Sequence, residues 1–379
     1  MQRKEFLKLG LAAAAGSMLS GCAKGPETTG TVSSGGTRLT VKIYDLKLRY
    51  AWGLSRGTWT VRTNALIKIE KDGVAGLGEA APIARYNETA QSAAAFIEKA
   101  RPILDRDLRD YAVRLGEIEA LGPGEHAAKA ALDMAILDWY AKTLNVPVWR
   151  LLGLGRDKVV TTTYTIGIDE IPVMQQKTRE AADFSVFKIK VGTPKDREII
   201  EGIRAVTDKP LRADANEGWK TKEEALEMID WMAGRGVELV EQPLPAAQLE
   251  DYAWLKERVK IPVFADESLI LPSDLPKIAP YFHGVNVKLM KCGGLQEAVR
   301  LAGMARALGL KLMIGCMIET SLGISAGAAV ASLFDYADLD GNLLIANDPF
   351  RGLGLEGDRI VVPAKPGLGV EGEVWAGES

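Results

Sequence analysis

The chain has 379 residues, 26% of them charged, and a net charge of −3 with histidine taken as neutral. This length exceeds that of a typical single small domain and suffices for a barrel with a second domain. The near-neutral charge argues against nucleic acid as a main partner, because nucleic-acid binding usually requires a basic face. Only two histidines occur, His126 and His283, so a histidine-rich zinc site or a histidine-based triad is hard to build.

The first 22 residues have the pattern of an export signal. Basic MQRKEFLKLG precedes an apolar LAAAAGSML that is too short to span a bilayer, and LSGC follows, ending at Cys22. LSGC resembles the lipobox of bacterial lipoproteins, so we expect an exported protein anchored through a lipid on Cys22, on the periplasmic or extracytoplasmic face. An ordinary secretory leader is the alternative.

The export route is left open by the sequence. The segment RKEFLK resembles a twin-arginine signal, but Lys4 stands where the second arginine is expected. Residues 23–38 are rich in Gly, Ser and Thr, which predicts a flexible tether.

Residues 39–155 are predicted to form an α+β domain. LTVKIYDLKL alternates, WTVRTNALIKIE and VAGLGEA follow, and Asp72-Gly73 separates the last two as a turn, which indicates an antiparallel meander. Between residues 88 and 143, apolar side chains recur at helical spacing.

Residues 156–347 alternate between short apolar runs and amphipathic stretches, a pattern that predicts a parallel barrel. The candidate strands lie near 161–167, 186–191, 211–214, 237–241, 262–266, 285–289, 311–315 and 336–340. Residues 348–379 contain several Gly and Pro residues, and we expect them to pack back on the first domain.

A series of charged residues follows these predicted strands, each at the end of an apolar run. Its members are Lys188 and Lys190 in VFKIKVG, Asp214 in LRADANEG, Glu241 in VELVEQP, Asp266 in PVFADES and Lys288 in GVNVKLMKCGG. From Lys190 onward they are separated by 22 to 27 residues, the length of one strand plus one helix. Because a parallel barrel gathers the C-terminal ends of its strands on one face, we expect these side chains to meet there.

The three acids, Asp214, Glu241 and Asp266, predict a metal site. A single acid at a strand end is usually a helix cap or a salt-bridge partner, but three on consecutive strands are costly to bury without a cation. Ligation by oxygen alone suits Mg²⁺, with Mn²⁺ next, and leaves positions for water and substrate.

The three lysines, Lys188, Lys190 and Lys288, predict acid–base chemistry. Alternation places Lys188 and Lys190 on the inward face of one strand, where barrels normally carry Val, Ile and Leu. A lysine is a base only when neutral, and desolvation with nearby cations lowers its pKa; Lys188, Lys288 and a bound cation would do this for Lys190. A salt bridge between Lys288 and Asp266 is the alternative, and both interpretations can hold together.

The order K-x-K, D, E, D, K, with ADANEGW, VEQP, ADES and VKLMKCGG, resembles the enolase superfamily, muconate lactonizing enzyme subgroup, from Leu39 onward. The resemblance implies a capping α+β domain on a (β/α)7β TIM-like barrel. It also implies Mg²⁺ on the three acids, general acid–base roles for Lys190 and Lys288, and an assisting role for Lys188. The mandelate racemase subgroup uses a His–Asp pair late in the barrel, and no histidine follows His283 here.

The implied chemistry is removal of the proton next to a carboxylate. Abstraction gives an enediolate, whose second negative charge a divalent cation and an ammonium group stabilise. Lysines on opposite faces permit a 1,1-proton transfer, so the carbon is inverted.

Several residues are candidates for substrate binding. Asp338 and Asp340 in YADLDGNLL resemble the D-x-D signature of dipeptide epimerases, where the acids hold the free amino terminus; a solvated loop is the alternative. In WGLSRGTWTVRTN, which resembles the capping loop of those enzymes, Arg56 is the candidate to pair with an acidic side chain, and Arg62 is the second choice.

Three further side chains, Thr163 or Thr165 and Glu319, are expected to line the pocket or to cap strand ends. Cys292 and Cys316 fall near the ends of adjacent strands, and two buried free thiols are favoured over a disulfide.

Two glycine runs, GLGEAA at 76–81 and GLGLEG at 352–357, fit a dinucleotide-binding pattern. Neither has the strand, turn and helix that such a site requires.

These features together predict an exported, lipid-anchored dipeptide epimerase with one Mg²⁺ per subunit, acting on L-Ala-D/L-Glu or related dipeptides as a homo-oligomer. An export address fits peptidoglycan peptides as the source of substrate. The alternatives are a cycloisomerase or o-succinylbenzoate synthase-like enzyme on the same scaffold, and a peptide-binding lipoprotein without catalysis.

Overall fold

The computed structural model describes residues 36–156 and 161–375. The predicted signal peptide, the anchor at Cys22 and most of the predicted tether lie outside the described residues. Within the described ranges, no helix is long and apolar enough to cross a membrane.

The N-terminal domain is an antiparallel sheet covered by helices, as the alternating pattern predicted. Its strands, in the order β1-β2-β3, are β1 (Arg38–Leu54), β2 (Gly57–Lys71) and β3 (Val74–Ala80). Its helices are α1 (Ala90–Lys99), α2 (Arg101–Leu104), α3 (Tyr111–Glu119), α4 (His126–Thr143) and α5 (Val148–Leu151). Helix α1 ends at Lys99 with Ala100 as its C-cap, and Pro102 lies in the first turn of α2. Proline is tolerated there because it lacks an N–H and fits only the start of a helix.

Close contact between β3 and α4 explains the first glycine run. A Cβ at Gly76 would overlap the carbonyl oxygen of Ala135, and one at Gly78 would overlap that of Ala131. Only glycine lets the strand lie this close to a helix whose facing residues are alanines. The run is therefore a packing feature, as its missing helix indicated.

We expect Gly78→Ala to lower the free energy of unfolding by about 2 kcal/mol or more, because the added methyl group forces β3 and α4 apart. Gly116→Ala is the control: that glycine lies on exposed α3 with nothing near its Cβ position. This control should be neutral or stabilising by up to about 1 kcal/mol. Urea unfolding of both variants measures the difference, and equal midpoints would contradict the packing argument.

The second domain is a parallel eight-stranded barrel with seven helical connections, which confirms the (β/α)7β prediction. Its strands are β4 (Tyr164–Ile166), β5 (Phe187–Lys190), β6 (Leu211–Asp214), β7 (Val237–Glu241), β8 (Val263–Ala265), β9 (Gly284–Lys288), β10 (Lys311–Gly315) and β11 (Tyr336–Asp338). The sheet runs in chain order from β4 to β11, and every ladder is parallel. A bridge between Thr162 and Ala337 joins the first strand to the last.

Helices pack around the outside of this barrel. They are α6 (Ile171–Glu180), α7 (Asp196–Arg204), α8 (Lys222–Ala233), α9 (Leu249–Lys256), α10 (Leu275–Ile278), α11 (Leu289–Cys292), α12 (Leu295–Ala307) and α13 (Ser321–Val330). One hydrophobic core includes side chains of both domains, among them Leu66 of β2 and Ile189 of β5. Inside the barrel, Leu239, Phe264 and Met313 form a separate cluster. Because this apolar cluster fills the barrel interior, polar side chains are expected to gather at the C-terminal ends of the strands.

The C-terminal segment contacts the N-terminal domain. Its strands are β12 (Phe350–Arg351), β13 (Gly354–Glu356), β14 (Arg359–Val361) and β15 (Glu371–Gly372), all paired antiparallel. The backbone N–H of Val148 donates to the Gly367 carbonyl at 2.9 Å, and the N–H of Leu368 donates to Asp138 Oδ1 at 2.7 Å. The second glycine run, at 352–357, contains β13 and lies in the antiparallel hairpin that β13 forms with β14.

Candidate active site

Three carboxylates form a cluster at the C-terminal end of the barrel. Asp214 and Glu241 end β6 and β7, and Asp266 directly follows β8. One oxygen from each lies within 4.8 Å of the others, and all three residues are at least 97% buried. A buried site built from oxygen donors alone fits a hard divalent cation, so the residues present suit the predicted metal.

The pKa values of these carboxyl groups depend on how many positive charges lie beside them. Burial, together with the charge of Asp214, raises the pKa of Glu241 to about 8. Burial also raises the pKa of Asp214, but Lys190 and Lys188 outweigh it and hold that pKa well below its usual range. The cluster is thus stable only beside cations.

The three predicted lysines surround the carboxylates. Lys188 Nζ lies 2.9 Å from Glu241 Oε2 and 3.1 Å from Asp214 Oδ2. Lys190 Nζ lies 2.6 Å from Asp214 Oδ2, on the β5 side, and Lys288 Nζ lies 2.8 Å from Asp266 Oδ2, on the β9 side. Lys190 and Lys288 therefore approach the cluster from opposite strands of the barrel.

Neighbouring carboxylates dominate the protonation of two of these lysines. Burial lowers the pKa of Lys288, but Asp266 and Glu241 outweigh it and raise that pKa above its usual value. Burial also lowers the pKa of Lys188, which Asp338, Glu241 and Asp214 nevertheless raise well above the usual range. At Lys188 and Lys288, the charge of these carboxylates therefore outweighs the effect of desolvation on the lysine pKa.

A cavity lies above the cluster, between the two domains. The N-terminal domain contributes Trp52, Leu54, Arg56, Arg62, Asn64 and Tyr86, while the barrel contributes Thr165, Lys188, Lys190, Lys288, Asp338 and Asp340. The first domain thus caps the open end of the barrel, and side chains of both domains face any bound molecule.

The two acids of the D-x-D motif lie on one side of this cavity. Asp338 Oδ1 accepts from Thr163 Oγ1 at 2.5 Å, and its Oδ2 accepts from Lys188 Nζ at 2.5 Å. Asp340 Oδ2 accepts from the backbone N–H of Thr165 at 2.6 Å. Burial, with the charge of Asp338, raises the pKa of Asp340 to about 7. Thr165 lines the cavity and also orients this pair.

Arg56 reaches the cavity, but its guanidinium is already paired. Arg56 Nη1 lies 2.8 Å from Glu267 Oε1 and 3.2 Å from Glu217 Oε2, and it donates to the Asn216 carbonyl at 3.2 Å. These contacts connect the tip of the β1–β2 hairpin to loops after β6 and β8.

Glu319 fits the second of its two expectations, a strand-end cap, since it is absent from the residues that line the cavity. Its Oε1 accepts from the backbone N–H of Met317 at 2.7 Å, as in a strand-end cap. Burial, together with the charge of Glu79, raises the pKa of Glu319 to about 8. The carboxyl group is thus turned into the junction between the domains.

This raised pKa has a consequence for stability. Between about pH 4.3, where an unfolded glutamate titrates, and pH 8, the folded state keeps a proton that the unfolded state loses. The free energy of unfolding therefore falls as pH rises through this range. Glu319→Gln removes the effect, so we expect the variant to gain more than about 1 kcal/mol relative to wild type between pH 5.5 and 8.5.

Urea unfolding at both pH values tests this expectation. Glu223→Gln, on the exposed start of α8, is the control and should follow wild type at each pH. An equal difference between Glu319→Gln and wild type at the two pH values would contradict the assignment.

Sequence reasoning missed three residues whose side chains form hydrogen bonds with the carboxylates or lysines of the site. Lys291 Nζ donates to Asp266 Oδ1 and to the Asn286 carbonyl. Asn286 Nδ2 donates to Glu241 Oε1 at 2.9 Å, and Asn216 Oδ1 accepts from Lys190 Nζ at 3.2 Å. Alternation along β9 could have found Asn286, two residues before Lys288. Strand alternation could not have found Lys291, because this residue lies in α11 after the strand, and the helix directs its side chain toward Asp266.

The two barrel cysteines are free thiols, as the sequence favoured. Cys292 is buried at the end of α11, where burial raises the pKa of its thiol to about 12. Cys316 lines the cavity.

A capped (β/α)7β barrel with a carboxylate triad between two lysines defines an enzyme of the enolase type. Residues 38–153 match the family described as mandelate racemase / muconate lactonizing enzyme, N-terminal domain, and residues 173–374 match the family described as enolase C-terminal domain-like. The chain belongs to the mandelate racemase / muconate lactonizing enzyme family, which confirms the resemblance read from its motifs.

Within this family, the chain is similar to several dipeptide epimerases. The L-Ala-D/L-Glu epimerase of Bacteroides thetaiotaomicron is 40% identical over 377 residues, covering 97% of this chain and 98% of that protein. The substrate-liganded L-Ala-D/L-Glu epimerase of Bacillus subtilis has a TM-score of 0.84 at 32% identity, covering 88% of this chain and 98% of that one. A dipeptide epimerase of Enterococcus faecalis, complexed with Mg and L-Leu-L-Tyr, has a TM-score of 0.84 at 31% identity, covering 89% and 100%.

Proposed function

We propose that the protein is a Mg²⁺-dependent dipeptide epimerase that inverts the α-carbon of the C-terminal residue, with L-Ala-D/L-Glu or related dipeptides as substrates. The observation that carries this proposal is the placement of Lys190 and Lys288 on opposite sides of the carboxylate cluster. Two bases facing one site from opposite directions are what inversion at carbon requires.

The acidic residues and the lysines of the site have separate roles in the proposed reaction. Asp214, Glu241 and Asp266 would hold the cation, which when bound supplies charge that stabilises the enediolate and offsets the negative charge beside the lysines. One of Lys190 and Lys288 removes the α-proton, and the other delivers a proton to the opposite face. Buried side chains hold both lysines in place, so little reorganisation accompanies the transfer.

The acidic pair favours a dipeptide over other substrates of this scaffold. Asp338 and Asp340 present carboxyl groups to the cavity, where they suit an ammonium group. Substrates of cycloisomerases and o-succinylbenzoate synthases lack that group. A binding protein without catalysis would need no second lysine across the site.

The cellular setting is part of the same proposal and is supported by the leader alone. We propose export and lipid anchoring through Cys22, which would place the enzyme where peptidoglycan peptides are released. Membrane fractionation of wild type and Cys22→Ala tests the anchor. Size-exclusion chromatography with light scattering tests the predicted homo-oligomer.

The first test of the activity uses the purified protein with Mg²⁺ and a library of L,L-dipeptides in D₂O. We expect deuterium at the α-carbon of the C-terminal residue only, with the L,D-epimer accumulating. No label in any dipeptide, with metal binding shown separately, would refute the proposal and favour elimination or cycloisomerisation.

A further inference from the structure

Two lysines hold the Asp266 carboxylate, one on each of its oxygens. Lys288 Nζ donates to Asp266 Oδ2 at 2.8 Å, and Lys291 Nζ donates to Asp266 Oδ1. Lys288 lines the active-site cavity, whereas Lys291 is 99% buried and is absent from the residues that line it. Oδ2 of Asp266 thus lies toward the lysine of the cavity, and Oδ1 lies toward the protein interior.

The ammonium group of Lys291 has all of its hydrogens engaged. It has three N–H donors, and three acceptors lie within hydrogen-bond distance: Asp266 Oδ1, the Asp266 carbonyl at 2.5 Å and the Asn286 carbonyl at 3.2 Å. Within residues 36–156 and 161–375, Lys288 makes a single hydrogen bond, to Asp266 Oδ2. Lys291 is therefore a fixed partner of Asp266, while Lys288 can leave Oδ2 when a divalent cation binds.

The local fold fixes Lys291 in this position. It lies in α11, which follows β9 directly and ends at Cys292, with Gly293 as the C-cap at a φ of 93°. Because that left-handed conformation favours glycine, the chain turns away after a single helical turn. The backbone of Asp266 is also fixed, since its N–H donates to Gln242 Oε1 at 2.9 Å. Both members of the Lys291–Asp266 pair are thus held by their own segments of the barrel.

A carboxylate that keeps one oxygen on a lysine can offer a cation only the other oxygen. Mg²⁺ binds single oxygens at short distances in a near-octahedral shell, whereas Ca²⁺ takes more oxygen ligands and often both oxygens of one carboxylate. Ligation through both oxygens of Asp266 would take Oδ1 from Lys291 and leave a buried ammonium group without its anion. The Lys291 contact therefore disfavours Ca²⁺ more than Mg²⁺.

We propose that Lys291 restricts Asp266 to ligation through Oδ2 and thereby makes the metal site selective for Mg²⁺ over Ca²⁺. This inference rests on the proposed Mg²⁺-dependent function. Lys291 is a positioning residue, because it acts on the cation through Asp266 and does not line the cavity in which a substrate would bind.

The test is the ratio of the Ca²⁺ dissociation constant to the Mg²⁺ dissociation constant, measured by isothermal titration of the purified full chain with each ion. For wild type we expect Mg²⁺ to bind more tightly, with a ratio of at least about 10. In Lys291→Met this ratio should fall by at least about tenfold, because Oδ1 becomes available to the larger ion. Loss of the lysine charge strengthens the binding of both ions, and this common effect cancels in the ratio.

Two comparisons separate this role from a merely structural one. In Asp266→Asn the side chain has a single oxygen, so adding Lys291→Met should leave the ratio within about twofold of that of Asp266→Asn alone. Lys177→Met is the matched control, since Lys177 of α6 is 96% buried and pairs with Asp169 at 2.9 Å, away from the carboxylate cluster. Its ratio should match that of wild type, and thermal unfolding of each variant checks folding separately.

If Lys291→Met does not fold, Lys291→Gln replaces it. The glutamine side chain is shorter than that of lysine and uncharged, so the ratio should still fall by at least about threefold.

Three outcomes would overturn the inference. They are a wild-type ratio of unity or below, an unchanged ratio in the folded Lys291 variant, and a fall in the ratio that is equal with and without the Asp266 substitution. None of these measurements requires turnover. Failure of the proposed epimerase function would appear separately, as no α-proton exchange in any dipeptide.

Discussion

Replacing either Lys190 or Lys288 with methionine is expected to reduce epimerisation by at least about 10³-fold, because each turnover needs one lysine to remove a proton and the other to return one. Solvent exchange should respond differently. The lysine that remains still reaches one face of the α-carbon, so each variant should exchange the α-proton of one epimer only. Lys190→Met and Lys288→Met should therefore be selective for opposite epimers.

Solvent exchange is measured as α-deuteration of L-Ala-L-Glu and L-Ala-D-Glu in D₂O by mass spectrometry. Epimerisation of the same dipeptides is measured by optical rotation. Lys129→Met is the control, since Lys129 is 97% buried and paired with Glu119 at 2.9 Å but does not line the active-site cavity. It should keep both activities within a few-fold of wild type. Exchange of the same epimer by both active-site variants would exclude two bases on opposite faces.

Glu241→Gln is expected to weaken Mg²⁺ binding by at least about 100-fold, because the substitution removes one of three anionic ligands while keeping the side-chain size. Asp214→Asn and Asp266→Asn should act in the same direction. Isothermal titration with Mg²⁺ measures the affinity, and the electron paramagnetic resonance of Mn²⁺ gives an independent signal that does not depend on turnover.

Asp133→Asn is the matched control for the ligand variants. Asp133 is 99% buried, and its Oδ2 accepts from the backbone N–H of Gln296 at 3.0 Å, outside the cluster. Its replacement should leave the metal affinity within about threefold of wild type. If all three ligand variants bound Mg²⁺ as tightly as wild type, the carboxylate cluster would not be the metal site.

Much of the fold could be predicted because its signals are local. Each barrel strand is a short apolar run followed by a helix, and the structure places those strands where the pattern indicated. The exception is the first, where the predicted 161–167 contains only Tyr164–Ile166 as a strand. There Thr161 and Thr162 make single bridges to Arg359 and Ala337, which no local pattern encodes.

The sequence by itself determined which charged residues meet at the end of the barrel. Parallel strands have their C-terminal ends on one face, so the position of Asp214, Glu241 and Asp266 after successive strands was enough to bring them together. The same rule applied to Lys190 and Lys288.

Only the tertiary structure decided how these charges are partnered. Arg56 and Arg62 are six residues apart in one hairpin, yet one meets Glu267 and Glu217 while the other stacks on Trp59. The physical reason is that an ion pair depends on distances of a few ångströms between segments more than 150 residues apart in the chain. Strand order fixes which face a side chain reaches, but only packing of the two domains sets those distances.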